Sequence, residues 1–220
     1  MSAPLAYSPP PHSAGLCSQK GLPIMAMLVT QQAPDFTATA VMPDDDFATI
    51  SLSDYRGRYV VLFFYPQDFA FVCPSEILGF NAKLEEFRSR ECELIGVSVD
   101  SHFAHLAWKA TKVEQGGIGH IQYPLVSDIK KEIARAYGVL RDDSVAFRGL
   151  FLIDRGGVVR HAVINDFPLG RNVDEALRML DALKHTEDYG EVCPVNWRDG
   201  EDAIEPTREG IASYLAEHAP

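Results

Sequence analysis

Residues 59–66, YVVLFFYP, are apolar without a break, which predicts a strand buried on both faces. A short loop, QDFAFV, separates this run from a helical period that begins at Pro74, with Ile77, Phe80, Leu84 and Phe87 on one face. CELIGVSVD (92–100) reads as a second buried strand. Ser101 is placed to cap the next helix, whose Phe103, Leu106 and Ala107 are expected to face inward. QYPLVSD supplies a short strand, and IKKEIARAYG a helix closed by Gly138. GLFLID and VVRHAVI flank an RGG turn, the length and composition of a hairpin. Asn172 then sits as an N-cap with Glu175 three residues on, ahead of a stripe made by Val173, Ala176, Leu177, Leu180 and Leu183. Strands alternating with helices, followed by a hairpin and a helix, predict a thioredoxin-like α/β fold whose core ends near residue 187.

Outside that core the pattern weakens. Residues 1–26 hold Pro9, Pro10 and Pro11 and have neither a basic start nor a continuous apolar stretch, nor any Arg. They read as a disordered extension or as the result of an upstream start codon, given Met25 and Met27. Residues 188–220 form a tail rich in Pro, Gly and acid, with Cys193, Trp197 and a short helix near Pro206 that puts Ile211, Tyr214 and Leu215 on one face. The expected organisation is an extension over 1–26, one domain over 27–187 and a tail over 188–220. Trp197 is a candidate anchor for docking that tail on a partner.

Composition narrows the function classes. The chain has 220 residues, 46% of them hydrophobic and 23% charged, and a net charge of −11. That size buries a core without disulfide or zinc, and the acidic balance disfavours nucleic acid and anionic lipid as partners. No apolar run reaches the length of a membrane span, and with no targeting features in residues 1–26 the default location is cytoplasmic, an organelle address being the alternative. Cys17, Cys73, Cys92 and Cys193 make no CxxC pair and no zinc spacing, and His102 and His105 lack a third ligand. No metal or other cofactor is expected. Widely spaced thiols suit a reducing compartment and catalytic or redox-sensing chemistry.

Cys73 is the thiol with two readings. A cysteine among aromatics is commonly inert packing, as Cys92 at the head of a strand is expected to be. Pro74, however, marks a helix start, and there the unpaired N–H groups and dipole favour a thiolate, lowering the pKa from about 8.5 toward roughly 3.5–7.5. Arg148, just before a predicted strand, would lower it further.

FFYPQDFAFVCPSEI resembles the peroxidatic-cysteine segment of the typical 2-Cys peroxiredoxins, Pro-x-x-x-Thr/Ser-x-x-Cys followed by Pro. GEVCPVNW (190–197) is similar to their resolving-cysteine segment, and RGLFLID and INDFPLGRNVDEALR to the segments carrying two active-site arginines. GGIG (116–119) resembles the family's internal glycine motif. The resemblance implies a thioredoxin-like fold with peroxiredoxin insertions and a C-terminal tail helix. It also implies Cys73 as the peroxidatic cysteine and Cys193 as the resolving one. By the same resemblance Pro66 shields the site, Arg148 stabilises the thiolate, and Glu76 and Arg171 support it. The implied substrates are hydrogen peroxide and alkyl hydroperoxides, with a thioredoxin-like reductant and no cofactor. The implied assembly is a homodimer joined by an inter-subunit disulfide, arranged further into a decamer.

Two positions depart from the family pattern. Ala70 stands where the Thr or Ser hydroxyl belongs, and the loss of a hydrogen bond to a charged group, about 1.5–3 kcal/mol, predicts a peroxidase weakened roughly ten- to hundredfold. An engineered Thr→Ala change, a natural site in which water substitutes, and a slow enzyme with a second role all fit; the last fits an oligomeric holdase chaperone or redox sensor. The tail helix carries Tyr214-Leu215 where over-oxidation-sensitive members have Tyr-Phe, which with GGIG predicts intermediate sensitivity.

Overall fold

The computed structural model describes residues 27–218; the N-terminal extension expected from the sequence lies outside them. A seven-stranded sheet runs in the order β2-β1-β5-β4-β3-β8-β9, formed by β1 (Thr37–Val41), β2 (Phe47–Ser51), β3 (Tyr59–Phe64), β4 (Cys92–Ser98), β5 (Leu125–Ser127), β8 (Arg148–Ile153) and β9 (Val159–Asn165). A two-stranded ribbon, β6 (Leu140–Arg141) with β7 (Val145–Ala146), stands apart. Strand β3 pairs parallel to β4 and antiparallel to β8.

The apolar run 59–64 is buried at every position because each face of β3 has its own core. Tyr59, Val61 and Phe63 pack with α1 (Cys73–Ala82), α2 (Leu84–Arg88) and α5 (Val173–Tyr189) through Ile77, Phe80, Phe87, Leu177 and Leu180. Val60, Leu62 and Phe64 point the other way, toward Ile133, Ala134 and Tyr137 at α4 (Glu132–Ala136). Period-2 alternation therefore becomes a three-layer sandwich.

Three local readings need correction. The β1–β2 hairpin has no counterpart in the predicted strands, and the acidic PDDDF segment is its turn. In that turn Asp45 pairs at 2.6 Å with the buried Lys109 ammonium, which also donates to the Met42 and Pro43 carbonyls. The helix expected from Pro74 begins one residue earlier and breaks at Lys83 into α1 and α2, while its four apolar positions stay buried. The third correction concerns α3 (His102–Ala110), which Ser101 does cap, accepting from the Ala104 amide. It turns His105, Trp108 and Lys109 inward and leaves Phe103 and Ala107 exposed. Two of the three inward residues are polar and satisfied by hydrogen bonds, so an apolar periodicity points to the wrong face.

The later elements follow their signals. Asn172 accepts from the Glu175 amide to cap α5, and Gly190, at φ +72°, closes it. The tail helix α6 (Arg208–His218) has no buried residue, so its Ile211 and Leu215 are unpartnered within the described residues. Gly117 of GGIG is fixed by close approach: a Cβ there would lie 1.9 Å from the Thr111 carbonyl oxygen.

Candidate active site

Cys73 is the first residue of α1, with Pro74 beside it in the turn where a missing N–H breaks no helical bond. The sulfur is fully buried. Arg148, at the start of β8, brings Nη1 to 3.3 Å from Cys73 Sγ and 2.6 Å from Glu76 Oε2, while its Nε donates to the Phe167 carbonyl. Arg171, ahead of α5, grips Glu76 from the other side through its backbone amide and Nε to Oε1 and Nη2 to Oε2, at 2.8–2.9 Å. Its Nη1 donates to the Phe64 and Gly149 carbonyls, so the guanidinium ties α1, β3 and β8 together. Pro66 is buried at the end of β3. Five of the six residues expected at the site therefore converge: Cys73, Arg148, Glu76 and Arg171 in one bonded cluster, with Pro66 in the loop leading to it.

The sixth stands elsewhere. Cys193, in the tail, donates to the Ala182 carbonyl at 3.5 Å and lies 3.9 Å from Thr186 Oγ1, on the face of α5 that also shapes a cleft with Leu152 and His161. Cys73 and Cys193 form no disulfide within this chain; both are free thiols. Trp197, expected to anchor the tail on a partner, is buried on its own chain instead. Arg178 donates to its carbonyl, its indole N–H donates to the Glu201 carbonyl, and its ring packs on His185. Cys92 is buried in the sheet.

The electrostatics set two effects against each other. Two guanidiniums and one carboxylate leave a net positive charge in a dry site, which a Cys73 thiolate neutralises. Burial nevertheless pushes the Cys73 thiol above its ordinary value, against the downward pull of Arg148 and of the Gln67 backbone amide. The lowered pKa expected from a helix start is thus not met while the loop covers the sulfur. Burial alone would push the Glu76 carboxyl up, but the bonds from Arg171 and Arg148 hold it below its ordinary value.

The loop over the sulfur contains residues that apolar patterning misses. Phe69 adopts φ +57°, left-handed backbone that is strained for a bulky side chain, and its ring lies 5.9 Å from that of Trp108. Ala70 is half-buried against the core, with no hydroxyl to offer the sulfur. Asp68 is buried and bonded to Tyr65 and His105. Its only sequence signal is an acid lodged among aromatics.

A buried cysteine at a helix start, facing a paired arginine on a thioredoxin-like sheet, defines the thiol-peroxidase class. The model of the AhpC/TSA family matches residues 29–162, and that of the C-terminal domain of 1-Cys peroxiredoxin matches 182–217, the segment holding Cys193. Peroxiredoxin-1 of Gallus gallus is 54% identical over 189 residues, covering 86% of this chain and 95% of that protein. Peroxiredoxin-2 of Mus musculus is 52% identical over 191 residues, 86% of this chain and 96% of that protein. The reduced 2-Cys peroxiredoxin of Plasmodium vivax superposes with a TM-score of 0.85 at 49% identity, over 86% of this chain and 99% of that one. The chain belongs to the AhpC/TSA family as a typical 2-Cys peroxiredoxin. It is a thiol-dependent peroxidase that reduces peroxides through a peroxidatic cysteine and is recycled by a thioredoxin-type reductant. Among the described residues no helix is long and apolar enough to cross a membrane.

Proposed function

We propose that Cys73 is the peroxidatic cysteine and Cys193 the resolving one, acting on hydrogen peroxide and alkyl hydroperoxides. The observation that carries this is the buried Cys73 sulfur held 3.3 Å from Arg148 Nη1. The thiolate attacks one oxygen of the O–O bond; a Cys73 S–O bond forms as O–O breaks, and the departing alkoxide or hydroxide takes up a proton. Arg148 steadies both the thiolate and the charge that develops on the leaving oxygen. Cys193 of another chain then attacks the sulfenic sulfur, giving an inter-subunit disulfide and water, and the reductant's dithiol restores both thiols as it is oxidised. Glu76, Arg171 and Pro66 orient and enclose the reacting pair.

Assembly as a homodimer, and further as a decamer, is supported by two surfaces. Strand β9 is one of the sheet's two edges and carries the exposed Ile164, and an open edge invites pairing. Phe47 meets His102 and Phe103 edge-on in an aromatic cluster near the surface, and Phe71 is fully exposed. The proposed location is cytoplasmic, and the proposed division is one domain over 27–187 with a tail beyond it. Ala70 favours a second reading, in which slow turnover accompanies a holdase role of the assembled rings.

Single-turnover oxidation of the reduced protein by hydrogen peroxide, followed by Trp fluorescence, tests the assignment. Cys73→Ser is expected to abolish the reaction. Cys193→Ser is expected to keep the first step and lose the disulfide-linked dimer on non-reducing gels. Oxidation that survives in Cys73→Ser would refute it.

A further inference from the structure

The peroxidatic loop is tied down by a buried polar network outside the arginine cluster. Asp68 Oδ1 accepts from the Tyr65 hydroxyl at 2.9 Å, and Oδ2 lies 2.8 Å from His105 Nδ1. The Asp68 backbone amide donates to Asp100 Oδ2 at 2.9 Å, an oxygen that also accepts from Ser98 Oγ. Loop residue 68 is thereby fixed to the end of β3, to the end of β4 and to α3.

Proton counting shows what the pair is. His105 Nε2 lies 3.3 Å from the Val126 carbonyl oxygen, which only accepts, so Nε2 carries a proton. A single further proton then lies between His105 Nδ1 and Asp68 Oδ2, and the pair is neutral overall whichever atom holds it. His105 is fully buried and Asp68 nearly so. Such a pair is retained only when every partner is satisfied, and here it holds the loop whose Tyr65 and Ala70 pack in one core cluster with Cys73 and whose Gln67 amide pulls the Cys73 pKa down. The neighbouring left-handed Phe69 needs the same support, because strained backbone persists only where its surroundings over-determine it. With Ala70 contributing no hydroxyl, Arg148 Nη1 is the donor that reaches the sulfur among the described residues.

We propose that His105 is a positioning residue for the peroxide reaction, holding Asp68 so that the loop from Tyr65 to Ala70 keeps its packing around Cys73. The inference rests on Cys73 as the peroxidatic cysteine. The charged groups facing Cys73 are Arg148 from β8 and Glu76 from α1, with Arg171 behind Glu76. Those facing His105 are Asp68 and the Tyr65 hydroxyl, with Asp100 beyond Asp68.

The test is single-turnover oxidation of the full chain by hydrogen peroxide from pH 4 to 9, for wild type, His105→Leu, Tyr65→Phe, Asp68→Ala and Asp68→Asn. An unfolded fraction lowers the amplitude, whereas a displaced loop slows the molecules that react and raises the pH of half-maximal rate. His105→Leu and Asp68→Ala are expected to slow by about tenfold at pH 7 with that midpoint moved upward, as for one lost hydrogen bond to a charged sulfur. Tyr65→Phe, which removes one neutral donor, is expected to slow about two- to tenfold with the same shift. Asp68→Asn still accepts from Tyr65 and offers an N–H to an unprotonated Nδ1, so it is expected to lose several-fold less than Asp68→Ala. Unchanged rate and midpoint in a folded His105→Leu, or in Tyr65→Phe should His105→Leu not fold, would overturn the inference alone. A wild type without Cys73-dependent oxidation would overturn the functional assignment with it.

Discussion

At the scale of single residues the site is a contest between desolvation and charge. Burial of Cys73 favours the thiol, and the excess positive charge of Arg148 and Arg171 over Glu76 favours the thiolate. Ala70 removes one contribution on the thiolate side. Ala70→Thr is therefore expected to raise the single-turnover rate with hydrogen peroxide by about ten- to hundredfold, one charge-assisted hydrogen bond; an unchanged rate would mean the site already compensates. Glu76 gives a pH prediction. Its folded pKa is depressed, so its stabilising contribution is present above the ordinary glutamate range of about 4.3 and is lost as pH falls through the lower folded value. Glu76→Gln leaves two buried guanidiniums without a counter-charge and is expected to cost about 3–5 kcal/mol at pH 7. Denaturant midpoints at pH 7 and pH 3 check this: the gap between wild type and Glu76→Gln should narrow in acid, and a constant gap would refute it.

At the scale of elements, the parts built from apolar burial were legible and the parts built from polar satisfaction were not. YVVLFF could only be a strand buried on both faces, and Ile77, Phe80, Leu84 and Phe87 marked the helical side of its core even though a break at Lys83 divides them. Helix α3 shows the failure. His105 and Lys109 point inward because Asp68, the Val126 carbonyl and the β1–β2 turn meet them there, partners that only the folded topology brings close. The β1–β2 hairpin escaped because the alternation of TATAV and FATIS is half-exposed and weak, its burial supplied by neighbours distant in sequence. In the site, Arg148, Glu76 and Arg171 were legible through family resemblance, and the structure adds the bonds that join them to Cys73. The Tyr65–Asp68–His105 network was illegible for the same reason as α3's inward face.

At the scale of the whole molecule the two thiols pose a problem of travel. Cys193 is fastened to its own α5 by the neighbouring Trp197, a residue 1% exposed, and by Arg178 and the His185–Glu191 pair. An antiparallel bridge between Val192 and Ile204 closes the tail on itself. Under the proposed assignment, reaching a Cys73 sulfenic acid on another chain requires this clasp to open, and at the other end the first turn of α1 to loosen and expose a buried sulfur. The lifetime of the sulfenic acid, and so its chance of meeting a second peroxide and becoming sulfinic, depends on how readily both segments open. Trp197→Ala removes a buried aromatic, a truncation of the kind that costs about 3–5 kcal/mol, and its effect falls on the tail rather than on the sheet. The variant is expected to form the Cys73–Cys193 disulfide faster and, at a fixed excess of hydrogen peroxide, to accumulate less sulfinic Cys73 by mass spectrometry, with the first oxidation step unaltered. Slower disulfide formation in a folded Trp197→Ala would instead make Trp197 a guide that delivers Cys193, and would remove opening of the clasp as the step that sets sensitivity to over-oxidation.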